Sequence, residues 1–425
     1  MKRESRTVDR SDQIDSPTQR HLPLVDLLVD TRAELMDLAV TSGLKVLATM
    51  LEEDRTAICG ARYQHQAQRP ASRAGTAPSE VTLGGRKVAI RRPRVRHDGG
   101  EVPLPTFQLM ASEDPLNRRI VEQMLVGVAT RQYARSLEPL PATMTTRSTS
   151  KSAVSRRFVA KTRAQLEAWQ SRPLDSLDLV GLILDGVHVG DHCLIVALGI
   201  AADGQKHALG LWEGSTENAT LCQSLLANLQ SRGLRTDRSL LVILDGSKAL
   251  RKAVRDLFGD VALVQRCQVH KLRNVLDHLP ERQRTWAKAI LQRAYRSTDV
   301  ATARRLLLDL GRRLETDHPS AAQSVREGLD ETLTVLGFNL PETLRRSLTT
   351  TNAAESLISR TRHVKRNVKR WRGGQMVVRW VAAGVLEAVK GFRRLKGHKA
   401  MPQLVAALRA RDQQLGLAVD AENVA

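Results

Sequence analysis

Two stretches of the chain carry one pattern. Leu182-Ile183-Leu184-Asp185-Gly186 and Leu241-Val242-Ile243-Leu244-Asp245-Gly246 are unbroken aliphatic runs that stop abruptly at an aspartate and a glycine. A short continuous apolar run bounded by a turn dipeptide reads as a central strand buried on both faces, and such strands belong to sheets covered by helices. Each run delivers its last side chain, a carboxylate, to the end of the sheet. Singly, either aspartate is explained as a cap, as Asp245 would be for a helix over 247–257, or as a residue ending a strand in a turn. Side by side, the two carboxylates would reach the same divalent cation.

The elements between the two runs decide whether they can be neighbours. Residues 181–189, 192–200 and 206–212 read as three consecutive strands, with turns at Gly190-Asp191 and Ala202-Asp203-Gly204. A helix over 217–231 follows, then a strand at 239–245, a helix at 247–257, a strand at 261–265 and a helix opening at Cys267. The order β-β-β-α-β-α-β-α resembles that of a ribonuclease H-like domain, an antiparallel meander extended by parallel strands through right-handed crossovers. In that topology the first and fourth strands are adjacent, so Asp185 and Asp245 stand together. The fold class expected is α/β: a ribonuclease H-like mixed sheet interrupted by an all-helical insertion and preceded by mainly helical DNA-binding domains.

A third carboxylate is available on a later helix that resumes at Thr350. Asn352 followed by Glu355 has the spacing of a capping box, which would explain both residues without chemistry. The face continuing from Glu355, however, reads Ser359, Arg362, Arg366 and Lys369, one stripe that opens on an acid and becomes wholly cationic. Between residues 360 and 399 the only acid is Glu387, and Trp371 and Trp380 are interleaved with the cations. A nucleic-acid backbone passing a metal site favours such a surface. Carboxylate oxygens are hard donors suited to Mg²⁺, with Mn²⁺ as a substitute. A carboxylate pair alone would also suit a glycosidase, but that chemistry has no use for the cationic stripe.

The charge balance points the same way. The 425-residue chain has 66 Lys+Arg against 45 Asp+Glu, a formal charge of +21 and a pI near 10.6, which calls for a polyanionic partner. No apolar stretch is long enough to span a bilayer, and the charged start has no signal-peptide segment behind it, so a cytoplasmic, nucleoid-associated protein is expected. Four scattered cysteines suggest neither a disulfide framework nor a four-ligand zinc site. Cys267 and His270, three apart at a helix start, are the one pair able to share a partner.

The organisation follows from these patterns. Residues 1–20 form a loose tail. Residues 21–110 hold a helical pair (21–59), a linker (66–80) and a small basic hairpin, Val81-Thr82-Leu83 with Lys87-Val88-Ala89-Ile90, bearing Arg86, Arg91, Arg92, Arg94 and Arg96. Residues 111–173 read as a helix-turn-helix-like domain with helices over 117–128, 130–137 and 150–170, which would bring Lys151, Arg156 and Arg157 near base edges. The ribonuclease H-like domain occupies 174–274, is interrupted by the helical insertion 275–345, and finishes with a last helix and basic extension at 346–400. Residues 401–425 form a C-terminal tail.

On these residues the chain resembles the Mutator-type bacterial insertion-sequence transposases of the Asp-Asp-Glu group. The resemblance runs from about residue 80 to 410 and is most specific at 182–189, 242–250, 265–274 and 350–374, the last ending Asn367-Val368-Lys369-Arg370-Trp371-Arg372-Gly373-Gly374. It implies that Asp185, Asp245 and Glu355 are the metal-binding and catalytic triad. It assigns DNA positioning to Arg362, and makes Cys267 and His270 a signature pair beside the catalytic sheet. Trp286 in the insertion becomes a candidate for contact with a distorted DNA end, unless it is an ordinary core tryptophan. Arg366, Lys369, Arg370 and Arg372 continue the DNA-binding surface.

The activity implied is nicking at transposon ends and strand transfer by a two-metal mechanism, through copy-out paste-in and a circular intermediate. Its partners would be transposon-end and target DNA, in a homodimer or larger synaptic assembly. A catalytically silent, transposase-derived DNA-binding protein, or a nuclease on the same sheet without strand transfer, would use the same basic surfaces.

Overall fold

The structure is a computed structural model that describes residues 23–64, 71–83, 85–112, 120–137, 146–148, 150–214, 218–365, 368 and 370–417, with the side chains of 23–33, 36, 112, 148 and 362–365 outside the description. The chain divides into two compact units, residues 1–118 with 134–149, and residues 119–133 with 150–425.

The smaller unit is a long helix on an antiparallel sheet. It comprises α1 (Pro23–Cys59), β1 (Ser72–Leu83), β2 (Arg86–His97), β3 (Gly100–Val102), α2 (Pro105–Ser112) and β4 (Thr146–Ser148). Strands β1, β2 and β3 are consecutive, and β4 pairs with β2. Two expectations are corrected here. The helical pair is a single helix that runs on through the turn dipeptide Ser42-Gly43, with no proline to break it after Pro23. Only part of its leucine periodicity is used: Leu47 and Leu51 pack with Val81, Val95 and Leu104, whereas Leu35 and Leu38 are exposed.

The stretch expected as a linker is mostly strand β1, the first arm of a hairpin longer than its apolar tip suggested. Its polar side chains find partners on neighbouring elements. Arg73 pairs with Glu52 and donates to Thr56 Oγ1 and the Gly60 carbonyl at 3.0 Å each, and Arg91 donates to Thr76 Oγ1 at 3.0 Å. Composition alone reads such a strand as a loop, since its stabilising contacts are made across the fold. Two of the hairpin arginines, Arg92 and Arg94, are held by Glu101 at 2.6 and 3.2 Å, so the basic ribbon is partly neutralised from within.

The larger unit is built on a five-stranded mixed sheet. Its elements in chain order are α3 (Ile120–Leu125), α4 (Lys151–Ser171), β5 (Leu179–Val189), β6 (His192–Ala201), β7 (Lys206–Gly214), α5 (Ala219–Ser231), β8 (Leu240–Leu244), α6 (Lys248–Phe258), β9 (Ala262–Arg266) and α7 (Gln268–Asp277). There follow α8 (Glu281–Arg296), α9 (Val300–Leu314), α10 (Pro319–Arg326), α11 (Leu329–Thr332), α12 (Glu342–Leu348), α13 (Asn352–Lys365), α14 (Gly374–Val389) and α15 (Met401–Gln414).

The sheet order is β7-β6-β5-β8-β9, with β5, β6 and β7 antiparallel and β8 parallel to both β5 and β9. The first and fourth strands of the unit are therefore neighbours, as the order of elements predicts. Alternation along the strands splits the interior into two layers. Leu182, Leu184, Val242 and Leu244 face Leu225 and Leu229 of α5 and Leu250 and Val254 of α6. Ile183 and Ile243 face Leu357 and Ile358 of α13, and Val377, Val381 and Val385 of α14.

Helix α4 belongs to this unit. Its N-cap is Ser150, as expected, and Trp169 Nε1 near its end donates to the Ala208 carbonyl of β7 at 2.9 Å. Ahead of it, residues 117–119 of the expected helix 117–128 lie outside the described residues, α3 covers Ile120–Leu125 and stops short of 128, and the expected helix 130–137 is a 3₁₀ turn at Tyr133–Ser136. The insertion is wholly helical, with a core from Val275 to Leu336.

Candidate active site

Register brings the first two carboxylates together. The parallel ladder pairs Leu184 of β5 with Leu244 of β8, and each is followed by its aspartate. Adjacent strands lie about 4.8 Å apart, so Asp185, inside β5, which runs on to Val189, stands beside Asp245, the first residue past the end of β8. By the period of two, Asp185 shares the face of Ile183, the face that α13 covers.

Asp245 makes the turn after β8. Its Oδ1 accepts the Ser247 amide at 2.9 Å, while the helix cap proper is Ser247, whose Oγ accepts the Leu250 amide at 3.3 Å. The turn thus uses one oxygen of Asp245, and among the described residues nothing is bonded to the other. Gly246 follows with φ +108°, a conformation L side chains rarely adopt, and a Cβ there would collide with the Arg266 guanidinium. Arg266 donates to the Gly246 carbonyl at 3.3 Å and to the Glu327 carbonyl at 3.0 Å, tying the Asp-Gly turn to the helical insertion.

Asp185 is 5% exposed, and among the described residues no donor reaches its carboxylate. Burial is the main cause that pushes its pKa up to about 8; the charge of Asp245 and then that of Glu355 add to it, while His270 opposes. A buried carboxylate crowded by two others is an environment that a cation relieves.

Glu355 enters from the first turns of α13. The capping-box reading of Asn352 and Glu355 does not hold, because the helix is capped one residue earlier: the Thr351 carbonyl accepts the amides of Ala354 (2.9 Å) and Glu355 (3.0 Å). Glu355 is free of capping and turns its Oε1 toward His270 Nε2 at 3.4 Å and Arg273 at 4.0 Å. With Glu355 so turned, no three His, Cys, Asp or Glu side chains among the described residues converge as a ready cage for a metal ion. The donor set nonetheless fits a hard cation: the three acids share one neighbourhood, and each carries an oxygen with no described partner.

Cys267 and His270 lie against this group. Cys267 is buried at the start of α7, and its sulfur accepts the Thr351 amide at 3.4 Å. Burial works against its ionisation, but hydrogen bonds from His270 and Thr351 outweigh it and hold the thiol below its usual range. The bond to Cys267 is the largest cause that raises His270 to about 9, helped by the charges of Asp185 and Glu355. Thr351 and Arg266 were not singled out from the sequence, where a threonine before a helix and an arginine ending a strand carry no signal.

The other expected residues are dispersed. Lys151 and Arg156 are exposed and Arg157 half-buried at the start of α4, and Arg370 and Arg372 are exposed before α14. The Arg362 side chain, Arg366 and Lys369 lie outside the described residues, and α13 ends at Lys365. Trp286 is 39% exposed on α8 and is no core residue. Trp371 and Trp380 depart from the expected interleaved surface. Trp371 packs on the core of the α13 face, and Trp380 is buried against Phe158, ring centroids 4.5 Å apart.

The description "Transposase, Mutator family" fits residues 25–394 of this chain, which therefore belongs to that family. Curated relatives include the transposase for insertion sequence element IST2 of Acidithiobacillus ferrooxidans, 33% identical over 40% of this chain and 56% of that protein. The transposase for IS6120 of Mycolicibacterium smegmatis is 28% identical over 60% of this chain and 78% of its own length. The transposase for IS256 in transposon Tn4001 of Staphylococcus aureus is 28% identical over 61% of this chain and 66% of its own. The chain thus spans between about half and four-fifths of the relatives it matches. Among the described residues no helix is long and apolar enough to cross a membrane.

Proposed function

We propose that this chain is an insertion-sequence transposase that nicks the ends of its element to free a 3′-hydroxyl and joins that hydroxyl to a second strand. Its sheet is read as a ribonuclease H-like core, on the strand order β7-β6-β5-β8-β9 and the helices α13 and α14 on one face. The observation that carries the reading is the register of Leu184 with Leu244, which sets Asp185 beside Asp245 under the helix bearing Glu355.

Asp185, Asp245 and Glu355 would hold the ions, Mg²⁺ with Mn²⁺ as substitute. When bound, two such ions activate an oxygen nucleophile and stabilise the leaving oxygen. The remaining work falls to the chain. Asp245 is fixed by its bond to the Ser247 amide and by the packed turn at Gly246. Asp185, buried and unbonded among the described residues, offers its carboxylate without a competing donor. Arg362 would position DNA, and Arg366, Lys369, Arg370 and Arg372, with Lys151, Arg156 and Arg157, would follow its phosphates. Trp286, exposed on the insertion, would stack at a distorted end.

Terminal inverted repeats and target DNA are the partners in this account. A homodimer or larger assembly synapses two ends, and a circular copy-out intermediate precedes paste-in. A nucleoid-associated, cytoplasmic location follows from that substrate.

The test incubates the protein and an Asp245→Asn variant with Mg²⁺ and duplex DNA carrying the inverted repeats that flank the gene. Nicks and strand-transfer products from the parent, and neither from a variant that still binds, are expected. Nicks without joining would favour a nuclease; binding without cleavage by the parent would favour a silent DNA-binding descendant.

A further inference from the structure

Cys267 joins the strand that ends in Asp245 to the helix that begins before Glu355. Its amide donates to the carbonyl of Leu244, the residue preceding Asp245, at 2.7 Å. Its sulfur accepts the Thr351 amide at 3.4 Å and the Thr351 hydroxyl at 3.6 Å. Thr351 caps α13 and holds the Glu355 amide. A second tie lies alongside, from the Gln268 amide to the Thr349 carbonyl at 2.9 Å.

His270 completes the link. Its Nδ1 lies 3.4 Å from Thr351 Oγ1, the hydroxyl that donates to that sulfur. Its Nε2 addresses Glu355 Oε1 at 3.4 Å. Both cations near Glu355, His270 and Arg273, approach Oε1, and among the described residues nothing is bonded to Oε2.

We propose that Cys267 and His270 are positioning residues of the metal site: Cys267 locks the start of α13 to the end of β8, and His270 orients the Glu355 carboxylate through Oε1 so that Oε2 faces the ion. The inference rests on Asp185, Asp245 and Glu355 being ligands. Burial of the sulfur alone would account for a packing role. It does not account for an imidazole with one nitrogen on the cap of α13 and the other on the carboxylate that helix presents. Ligating carboxylates are commonly held in this way by outer hydrogen bonds, and loss of such a partner weakens metal binding about ten- to a hundredfold.

The experiment measures Mn²⁺ binding to the full chain, with the free ion counted by electron paramagnetic resonance and melting temperatures recorded in parallel. The parent and the variants Asp245→Asn, His270→Ala, His270→Gln, Cys267→Ala and Thr351→Val are compared. His270→Ala and Cys267→Ala are expected to lose about tenfold or more in affinity, and His270→Gln, which can still donate to Oε1, to recover most of it.

An alanine variant that melts early is replaced in the comparison by Thr351→Val, which keeps the buried volume and removes the hydroxyl between sulfur and ring; it too is expected to bind Mn²⁺ several-fold more weakly. Parent-like affinity in folded His270→Ala, Cys267→Ala or Thr351→Val overturns the proposal. A parent that binds no Mn²⁺, or an Asp245→Asn variant that binds it undiminished, overturns the metal reading itself and leaves the two residues no site to serve.

Discussion

Leu184 and Leu244 are partners in the parallel ladder of the mixed sheet, and each is followed by an aspartate. That single register turns two separate sequence runs into one site, and a slip of one residue would send Asp185 to the opposite face. The site's remaining parts, Glu355, Thr351, His270 and the Gly246 turn, are arranged around it.

Removing any of the three acids is expected to abolish chemistry and spare binding. Asp185→Asn, Asp245→Asn and Glu355→Gln should each lose about 4 kcal/mol of transition-state stabilisation, roughly a thousandfold in cleavage rate. Single-turnover nicking assays beside gel-shift titrations check this; a variant within tenfold of the parent would remove that residue from the catalytic set.

The ion-free fold should weaken as pH rises. Asp185, raised from 3.8 to about 8, binds a proton more tightly folded than unfolded, so its ionisation costs stability progressively between those values and fully above about 8. His270, raised from 6.5 to about 9, contributes stability below the lower value that is lost as pH climbs through the higher. In chelator, Asp185→Asn should therefore melt close to the parent near pH 4 and several degrees above it at pH 8.5, and saturating Mg²⁺ should narrow the gap by stabilising the parent alone. Parallel melting curves across the range would refute the account of Asp185.

Gly246→Ala should injure both stability and activity. The positive φ and the Arg266 guanidinium packed on that turn leave no room for a methyl group, a strain of about 1–3 kcal/mol that also displaces Asp245. Denaturant melts and nicking rates measure the two effects; an unchanged variant would mean that the turn does not hold Asp245 in place.

The tryptophans divide by environment. Trp380→Ala, losing the stack on Phe158, should cost about 3–5 kcal/mol. Trp286→Ala should cost less than about 1 kcal/mol and act instead on DNA-end processing. Chemical denaturation of both variants separates the cases, and equal losses would place Trp286 in the core after all.

What the sequence made legible was whatever depends on local period. The strands β5 to β9, the cap at Ser150 and the helical insertion are written in continuous apolar runs, turn dipeptides and 3.6-residue spacing, whereas the cap of α6 is Ser247 and not the expected Asp245. The adjacency of Asp185 and Asp245 followed from element order, since connection rules leave few topologies. The single helix α1 was hidden because Ser42-Gly43 inside it has the composition of a turn. Strand β1 was hidden because its polar groups are satisfied by residues distant in sequence, Glu52 among them. Trp380 was misplaced for a similar reason: cations around it in sequence say nothing of the aromatic partner contributed by α4. The amide of Thr351, at the start of α13, is bonded to a sulfur 84 positions earlier, a contact no local pattern contains.

The most direct measurement is an anomalous-scattering map from crystals grown with Mn²⁺. The account predicts a peak between the carboxylates of Asp185 and Asp245, about 2 Å from an oxygen of each and within reach of Glu355 Oε2. A map with Mn²⁺ bound elsewhere, or with none between those two carboxylates at saturating ion, would contradict it.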